Sequence, residues 1–410
     1  MNKSVHGRRV VVIGGGIAGV EALLALHDLA GDRAQLTLVA PEPDFVYKPL
    51  KVEEPFGGDP VEQRALEPLV GEVGGEFRLA ALESVDPAAH RLLLSDGSSL
   101  NYEKAVICVG GRFEPAFEGV DTFPTPKGLA IEQVLTKSHV AGADSLAFVV
   151  PPSVTWPLPI YELALMTERR ARERNYEQLS IRVITPETAP LAVFGPAASS
   201  EVAQLLSARG IEFIGDARVH QENGELLLTP GDERLGRDEV VALPVMKGPA
   251  LEGLPADDDG FIPIDDHARV RGTDDLYAAG DGTNFPIKQG GLATQEADAA
   301  AAHIAHALGA ALEVEPFHPV LRGKLLTGDE SLQMRADVAG GAGEGEASAD
   351  ALWWPPHKVS GRYLAAWLYH GEAQADPEPP ARTLDVEVAL PREWHEQPMA
   401  LDPESPPGID

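Results

Sequence analysis

The sequence predicts an α/β fold: two Rossmann-like dinucleotide-binding domains, each three-layered about a central parallel sheet, plus a smaller C-terminal region. Three observations predict it. Short apolar runs of strand length alternate with longer helical patterns through most of the 410 residues. The first such run is followed by Gly14-x-Gly16-x-x-Gly19 and then a helical pattern. A later run ends in Gly280-Asp281, ahead of a long Ala-rich helical stretch. Strands joined by crossover helices are buried on both faces, which is why they read as continuous apolar runs.

The elements follow in order. "RRVVVIGG", "AQLTLVA", "KAVICVGG", "SLAFVVPP", "SIRVITP" and "DDLYAAGD" read as buried strands. "IAGVEALLALHDLAG", "PIYELALMTERRARERN", "SSEVAQLLSARG" and "TQEADAAAAHIAHALGAAL" read as helices. Between 77 and 111, two alternating runs around "SDGSS" predict an antiparallel meander that feeds a strand. A Gly-, Pro- and acid-rich break near 113–143 separates the first unit from a second nucleotide-fold-like segment at about 144–245. The boundaries expected are 1–112 with 246–312 for a discontinuous first domain, 113–245 for the second domain and 313–410 for the C-terminal region. That last region contains "GGAGEGEASAD", expected as an acidic flexible loop, an aromatic segment and a tail rich in Pro and Glu.

Composition narrows the function classes. The formal net charge of -31 repels nucleic acid backbones and anionic membranes, so nucleic acid is not an expected partner. One cysteine, Cys108, makes neither an internal disulfide nor a dithiol redox pair. The basic start and apolar run mimic a secretion signal, but the run is broken by glycines and reads better as a first strand. No stretch reaches the ~18 apolar residues of a membrane span. The expectation is a cytoplasmic chain, at most peripheral to the inner face of the membrane. A homodimer is left open.

Strand, glycine loop, helix is the context in which the fingerprint has a mechanism. Gly14 allows the tight turn, Gly16 lets a pyrophosphate approach the backbone, and Gly19 lets the helix pack on the strand. The helix N-terminus at Ile17 and Ala18 then favours the phosphate charge. With the Gly280-Asp281 strand end and the glycine pair that follows, the sequence resembles the two-dinucleotide-binding-domain FAD oxidoreductases, the pyridine nucleotide-disulfide oxidoreductase superfamily. The resemblance covers roughly residues 8–312 and implies FAD. It implies that Asp281 holds the ribityl chain and that the amides around Gly291 and Leu292 face the flavin. "KAVICVGG" is similar to the family's third FAD segment, with Val109-Gly110 in place of Thr-Gly. Ala40 departs from the pattern, since the family has an acidic residue there for the adenosine ribose; Glu42, two residues on, is the candidate substitute.

Family members that use NAD(P)H carry a second glycine fingerprint in the middle domain, ending in G-x-E. Here that loop reads "PPSVTWPLPIYELALM", with none of the three glycines. Pro151, Pro152, Pro157 and Pro159 stiffen it and remove amide donors. Glu162 falls where the family's glutamate faces the flavin. The pattern resembles sulfide:quinone oxidoreductases, the flavoprotein of flavocytochrome c sulfide dehydrogenase and type II NADH dehydrogenases. The sulfide enzymes use a cysteine pair beside the flavin, and this chain has Trp156 or a neighbour at one of those places. Cys108 lies inside an apolar strand and reads as core.

Glu162, Lys48 and Lys288 are therefore the candidate catalytic residues. A lysine near the flavin stabilises negative charge or polarises a quinone carbonyl. Tyr47 and Pro49 are expected to pack the flavin edge, and Gln295 and Glu296 to face solvent. His357 and His370 lack metal-ligand spacing, so no metal is expected. Trp353, Trp354, Pro355, Pro356, Tyr363, Leu364 and Trp367 form a stripe that either touches a membrane or packs against the flavin domains or a second subunit. The expected function is an FAD-dependent oxidoreductase passing electrons from an unidentified small-molecule donor to a quinone or other small acceptor, without a redox-active disulfide. Two alternatives stand beside it: an NAD(P)H dehydrogenase with an atypical nicotinamide site, and a non-catalytic FAD-binding sensor or interaction protein.

Overall fold

The computed structural model describes residues 7–58, 61–124, 131, 133–135, 145–176, 179–236, 240–337, 346–353 and 356–369. The helices among them used below are α1 (Ile17–Ala30), α2 (Leu66–Glu72), α3 (Leu158–Glu173), α4 (Gly195–Ala208), α5 (Gly290–Ala307) and α6 (Leu364–Leu368).

The first sheet is parallel and runs Leu276–Ala278, Lys104–Ile107, Arg8–Ile13, Ala34–Ala40, Glu76–Leu79. Its strand Leu276–Ala278 comes from far along the chain, so the first and third quarters of the sequence close one core. Val10, Val12, Leu38 and Val106 are fully buried in it, as doubly covered strands require. α1 and α5 pack against one another on this sheet. Both turn small buried residues inward, Ala18, Ala22 and Ala25 from one and Ala293, Ala297 and Ala300 from the other, which permits close approach of the two axes. The expected meander is present as Leu82–Asp86, Arg91–Leu94 and Ser99–Asn101.

The second sheet is also parallel: Asp121–Thr122, Val240–Ala242, Ser145–Val149, Ser180–Ile184, Ile211–Ile214. α3 follows the strand Ser145–Val149 and α4 precedes the strand Ile211–Ile214. α4 and α5 begin about one turn earlier than the helical patterns suggest, because Gly195 and Gly290 are drawn into their first turns.

The C-terminal region contributes a third, antiparallel sheet, Val320–Leu325, Leu332–Asp337 and Glu346–Ser348. Part of the expected acidic loop is thus a strand, because Gln333, Met334 and Arg335 offer an edge to pair with. The rest of that stretch, and the tail rich in Pro and Glu, lie outside the described residues. The segment 356–369 then crosses back onto the first sheet's helices and ends in α6. Its aromatic residues face inward: Trp367 meets Phe45 edge-on at 5.6 Å, and His357 stacks on Tyr369 at 3.4 Å. These contacts give part of the stripe internal packing partners; Trp354, Pro355 and His370 lie outside the described residues. No helix among the described residues is long and apolar enough to cross a membrane.

The contact that joins α1 to the sheet tolerates no side chain. A Cβ on Gly19 would sit 1.8 Å from the carbonyl oxygen of Gly14. Gly14 itself has φ +119° and lies against the Cys108 carbonyl. Gly19→Ala is expected to lower stability by at least ~1–3 kcal/mol through a forced backbone shift, read as a lower denaturation midpoint with an unchanged slope.

Candidate functional site

The loop between the strand Arg8–Ile13 and α1 is built to meet an anion. α1 begins at Ile17 behind the N-cap Gly16, which offers no side-chain bond, so its first-turn amides lack a side-chain partner at the positive end of the helix dipole. Gly16 is exposed, and nothing lies within 4 Å of where its Cβ would be. Ala40 is buried beneath Gly15, so no acidic side chain extends from that strand end. Glu42 is exposed just beyond it.

The Gly280-Asp281 turn comes to the same place. Gly280 lies against Ala18 of α1, and Gly282 against the Gly110 carbonyl. Two residues past the strand Lys104–Ile107 lies Val109, an exposed apolar residue. Asp281 is half-buried and makes no hydrogen bond to a described residue. Burial raises its pKa, and Lys288 and Lys48 oppose the shift from either side. An unpartnered, partly desolvated carboxylate beside an open glycine loop fits the ribityl hydroxyls of FAD. So the residues present suit the cofactor: Gly14, Gly16, Ile17, Ala18 and Gly19 for the pyrophosphate, Gly110, Gly280 and Asp281 beside them.

The turn is fastened from below by Glu296, which corrects the expectation that this residue faces solvent. It is 2% exposed; it accepts the Gly280 N–H at 2.6 Å and the Thr283 hydroxyl at 3.2 Å. Burial raises its pKa, opposed by those bonds and by Lys288. Gln295 is likewise engaged, bonding both backbone groups of Val320. Lys288 donates to the Thr283 carbonyl and lies 3.9 Å over the Phe261 ring. Burial lowers its pKa, with Asp281 and Glu296 pulling the other way.

At the start of α5, Gln289 caps the helix with its side chain, accepting the Leu292 N–H at 2.8 Å. This corrects the expected donor pair: Leu292 is already bonded, and Gly290 and Gly291 are the first-turn amides that remain. Ile17 packs against Gly290, so α1 and α5 present their N-termini to one cleft.

In the second domain, Pro151 is buried and the loop closes in a turn from Val154 N to Pro151 O. Trp156 packs edge-on against Phe194 at 5.8 Å. Glu187 follows the second strand, where nucleotide folds place a ribose-binding acid. Here it faces into the protein, accepting the Tyr161 hydroxyl at 2.6 Å and the Thr185 hydroxyl at 3.0 Å, and burial pushes its pKa up to about 7. The groups that would grip a nicotinamide dinucleotide are thus either proline or internally bonded.

Glu162 sits fully buried near the start of α3. Its Oε2 accepts Lys358 Nζ at 2.6 Å, and its Oε1 accepts the Leu326 N–H at 2.9 Å. Burial raises its pKa; the Lys358 ammonium is the main opposing influence. The next residue, Val359, donates its N–H to the Tyr47 hydroxyl at 2.9 Å and packs on Gly290. Lys358 therefore stands one residue from the junction of the two helix N-termini. Lys48 is exposed at the start of a short helical stretch, Lys48–Phe56, beside Asp281's field.

The structure thus sets Gly280 against Ala18 and Gly282 against Gly110, places Lys48 and Lys288 in the field of Asp281, and pairs Glu162 with Lys358. Nothing local marks Lys358, one of two basic residues, with Arg362, in an aromatic segment. Cys108 is buried beneath the glycine loop, and burial pushes its thiol pKa far up, which suits core packing and no redox role. Asp265, Asp266 and His267 cluster, but Asp265 is occupied by Arg269 at 2.9 Å, which disfavours a cation there.

Two outcomes follow. Asp281→Ala is expected to weaken FAD binding by roughly 10–100-fold without lowering the melting temperature of the cofactor-free protein, measured by flavin fluorescence and thermal melting. Lys358→Met leaves a carboxylate buried without its counter-ion. It should cost ~3–5 kcal/mol at neutral pH. Because the carboxyl pKa is raised, the loss shrinks as pH falls and the neutral acid forms, and Glu162→Gln in the same chain relieves it.

Residues 8–147 match the family model described as pyridine nucleotide-disulphide oxidoreductase. The sulfide-quinone reductase of Aquifex aeolicus is 27% identical over 222 residues, 52% of this chain and 51% of that one, so the match spans about half the length of that relative. Ferroptosis suppressor protein 1 of Taeniopygia guttata is 22% identical over 287 residues, 67% of this chain and 73% of that one. The solved sulfide:quinone oxidoreductase of Aquifex aeolicus shares the fold with a TM-score of 0.73 at 20% identity, covering 84% of this chain and 87% of that one. Residues 8–147 are thus similar to the pyridine nucleotide-disulphide oxidoreductase family, and the chain as a whole shares the fold of the solved sulfide:quinone oxidoreductase.

Proposed function

We propose that the protein passes electrons from a small-molecule donor through FAD to a quinone or other small acceptor, without a redox-active disulfide and without a conventionally bound NAD(P)H. The observation that carries this reading is the buried Lys358–Glu162 pair beside the junction of the α1 and α5 N-termini. When bound, FAD supplies the electron transfer itself. The chain's own residues orient, exclude water and hold protons. Lys358 offers an N–H to the oxygen of an acceptor carbonyl, where negative charge develops. Glu162 holds that ammonium in place through the 2.6 Å ion pair. The N-termini of α1 and α5 add positive potential to the same cleft.

The names of two relatives support a quinone acceptor in one case and give no donor for this chain. A sulfide donor handled by a cysteine pair is not supported, because the chain has one cysteine and it is buried. The proline loop and the inward Glu187 weigh against a nicotinamide donor.

The test is a visible spectrum of the purified protein, followed anaerobically. Bound FAD, unbleached by NADH and reoxidised by a short-chain quinone after chemical reduction, is the expected result. Lys358→Met should slow the reoxidation by roughly 10–100-fold while the bound FAD remains. Rapid bleaching by NADH would overturn the donor assignment, and a chain that cannot be loaded with FAD would overturn the whole reading.

A further inference from the structure

The backbone on either side of Lys358 is held by side chains from separate parts of the chain. Lys324, on the strand Val320–Leu325, donates to the Pro356 carbonyl at 3.0 Å. Trp353 donates its indole N–H to the His357 carbonyl at 3.0 Å. Tyr47 accepts the Val359 N–H at 2.9 Å. Farther along, Glu21 of α1 accepts the N–H groups of Tyr363 at 2.9 Å and Leu364 at 2.6 Å. Arg64 donates to the Trp367 carbonyl at 2.7 Å and to the Leu368 carbonyl.

These attachments differ in what their loss would leave behind. A carbonyl oxygen has two lone pairs, and Lys324 is only half-buried, so water can stand in for its bond to Pro356. The Val359 N–H is a single donor on a residue 2% exposed. A buried N–H without an acceptor is among the costlier backbone defects. The residue cannot simply turn that N–H toward water. Its side chain packs so tightly on the start of α5 that a Cβ on Gly290 would lie 2.7 Å from Val359 Cγ2. Turning the peptide would withdraw the valine from that contact. Tyr47 is itself firmly set. It is 1% exposed, its N–H donates to the Glu62 carbonyl at 2.9 Å, and it follows directly on the antiparallel pair Asp44–Val46 and Gln63–Ala65.

We propose that Tyr47 is a positioning residue for Lys358: its buried hydroxyl holds the Val359 N–H and so fixes the backbone from which the lysine reaches Glu162. The 2.6 Å contact with Glu162 fixes only the tip of a flexible four-carbon side chain; the bond to Tyr47 fixes its root. The effect of Tyr47 on turnover rests on the reading of Lys358 given above. Its effect on where Lys358 sits does not.

Tyr47→Phe is the variant that tests this, because it removes one oxygen and keeps the ring. The experiment uses the full FAD-loaded chain. Its first readout is acylation of lysines by acetic anhydride, followed by peptide mass spectrometry. Lys358, whose side chain is 8% exposed, is expected to react at least about fivefold faster in Tyr47→Phe than in the unaltered protein. Lys104, paired with Asp275 in the first domain, should react at an unchanged rate. An unchanged rate at Lys358, or an equal rise at Lys104, would overturn the proposal.

The second readout is reoxidation of the chemically reduced flavin by a short-chain quinone. Tyr47→Phe should slow it by about 5–50-fold in the otherwise unaltered protein. In a chain carrying Glu162→Gln and Lys358→Met, which already lacks the lysine, the same change should slow it by less than about twofold. Equal slowing in both backgrounds marks a general structural role and overturns the positioning role. Faster acylation of Lys358 with no change in reoxidation tells against Lys358 as the acceptor's partner and leaves its placement by Tyr47 intact.

Discussion

The packing of α1 on α5 is the constraint from which the rest of this molecule follows. Both helices carry small residues at their interface, and the close approach sets Ala18 against Gly280 and Ile17 against Gly290. Two loops distant in sequence are thereby turned toward one cleft, each ending at a helix N-terminus. The positive ends of two dipoles then favour an anion there, as the proposed pyrophosphate site needs. Larger side chains at these contacts would force the helices apart.

Around that cleft the chain places more ionisable groups than a simple binding site needs, and each is restrained by a particular partner. Glu296 is held by a backbone N–H and a hydroxyl, Glu162 by an ammonium and a backbone N–H, Glu21 by two backbone N–H groups. Burying a carboxylate is costly unless its lone pairs are satisfied, so every one of these residues also works as a fastener. Glu296 fixes the turn that presents Asp281. Glu162 ties the second domain's first helix to the C-terminal segment. Glu21 ties that segment back to the first domain.

The second domain shows the opposite development. Its sheet and crossover helices persist, but the features that grip a dinucleotide do not. Prolines replace the glycines, and Glu187 is drawn inward to Tyr161 and Thr185. The outer sheet of the C-terminal region packs Gly323 directly against Phe194. The domain serves here as a wall that carries Glu162.

By itself, the sequence determined everything that depends on local backbone chemistry. The period of apolar residues set the strands and helices. Gly14 and Gly19 set the phosphate turn, because no side chain fits there. Gly280-Asp281 set the second contact, and the prolines of the middle loop ruled out the usual dinucleotide turn. Tertiary structure alone decided the partners of the charged residues. Lys358 meets Glu162 across 196 positions, and Glu21 meets the segment 361–364 across more than 340. Glu296 and Gln295 looked like helix-surface residues because helical periodicity fixes a face, not what covers it. An aromatic stripe with two basic residues suited an interface as well as a core, and only the tertiary structure brought Phe45 and Arg64 to Trp367. A carboxylate's role depends on which donors surround it, and for these residues the donors arrive from distant parts of the chain.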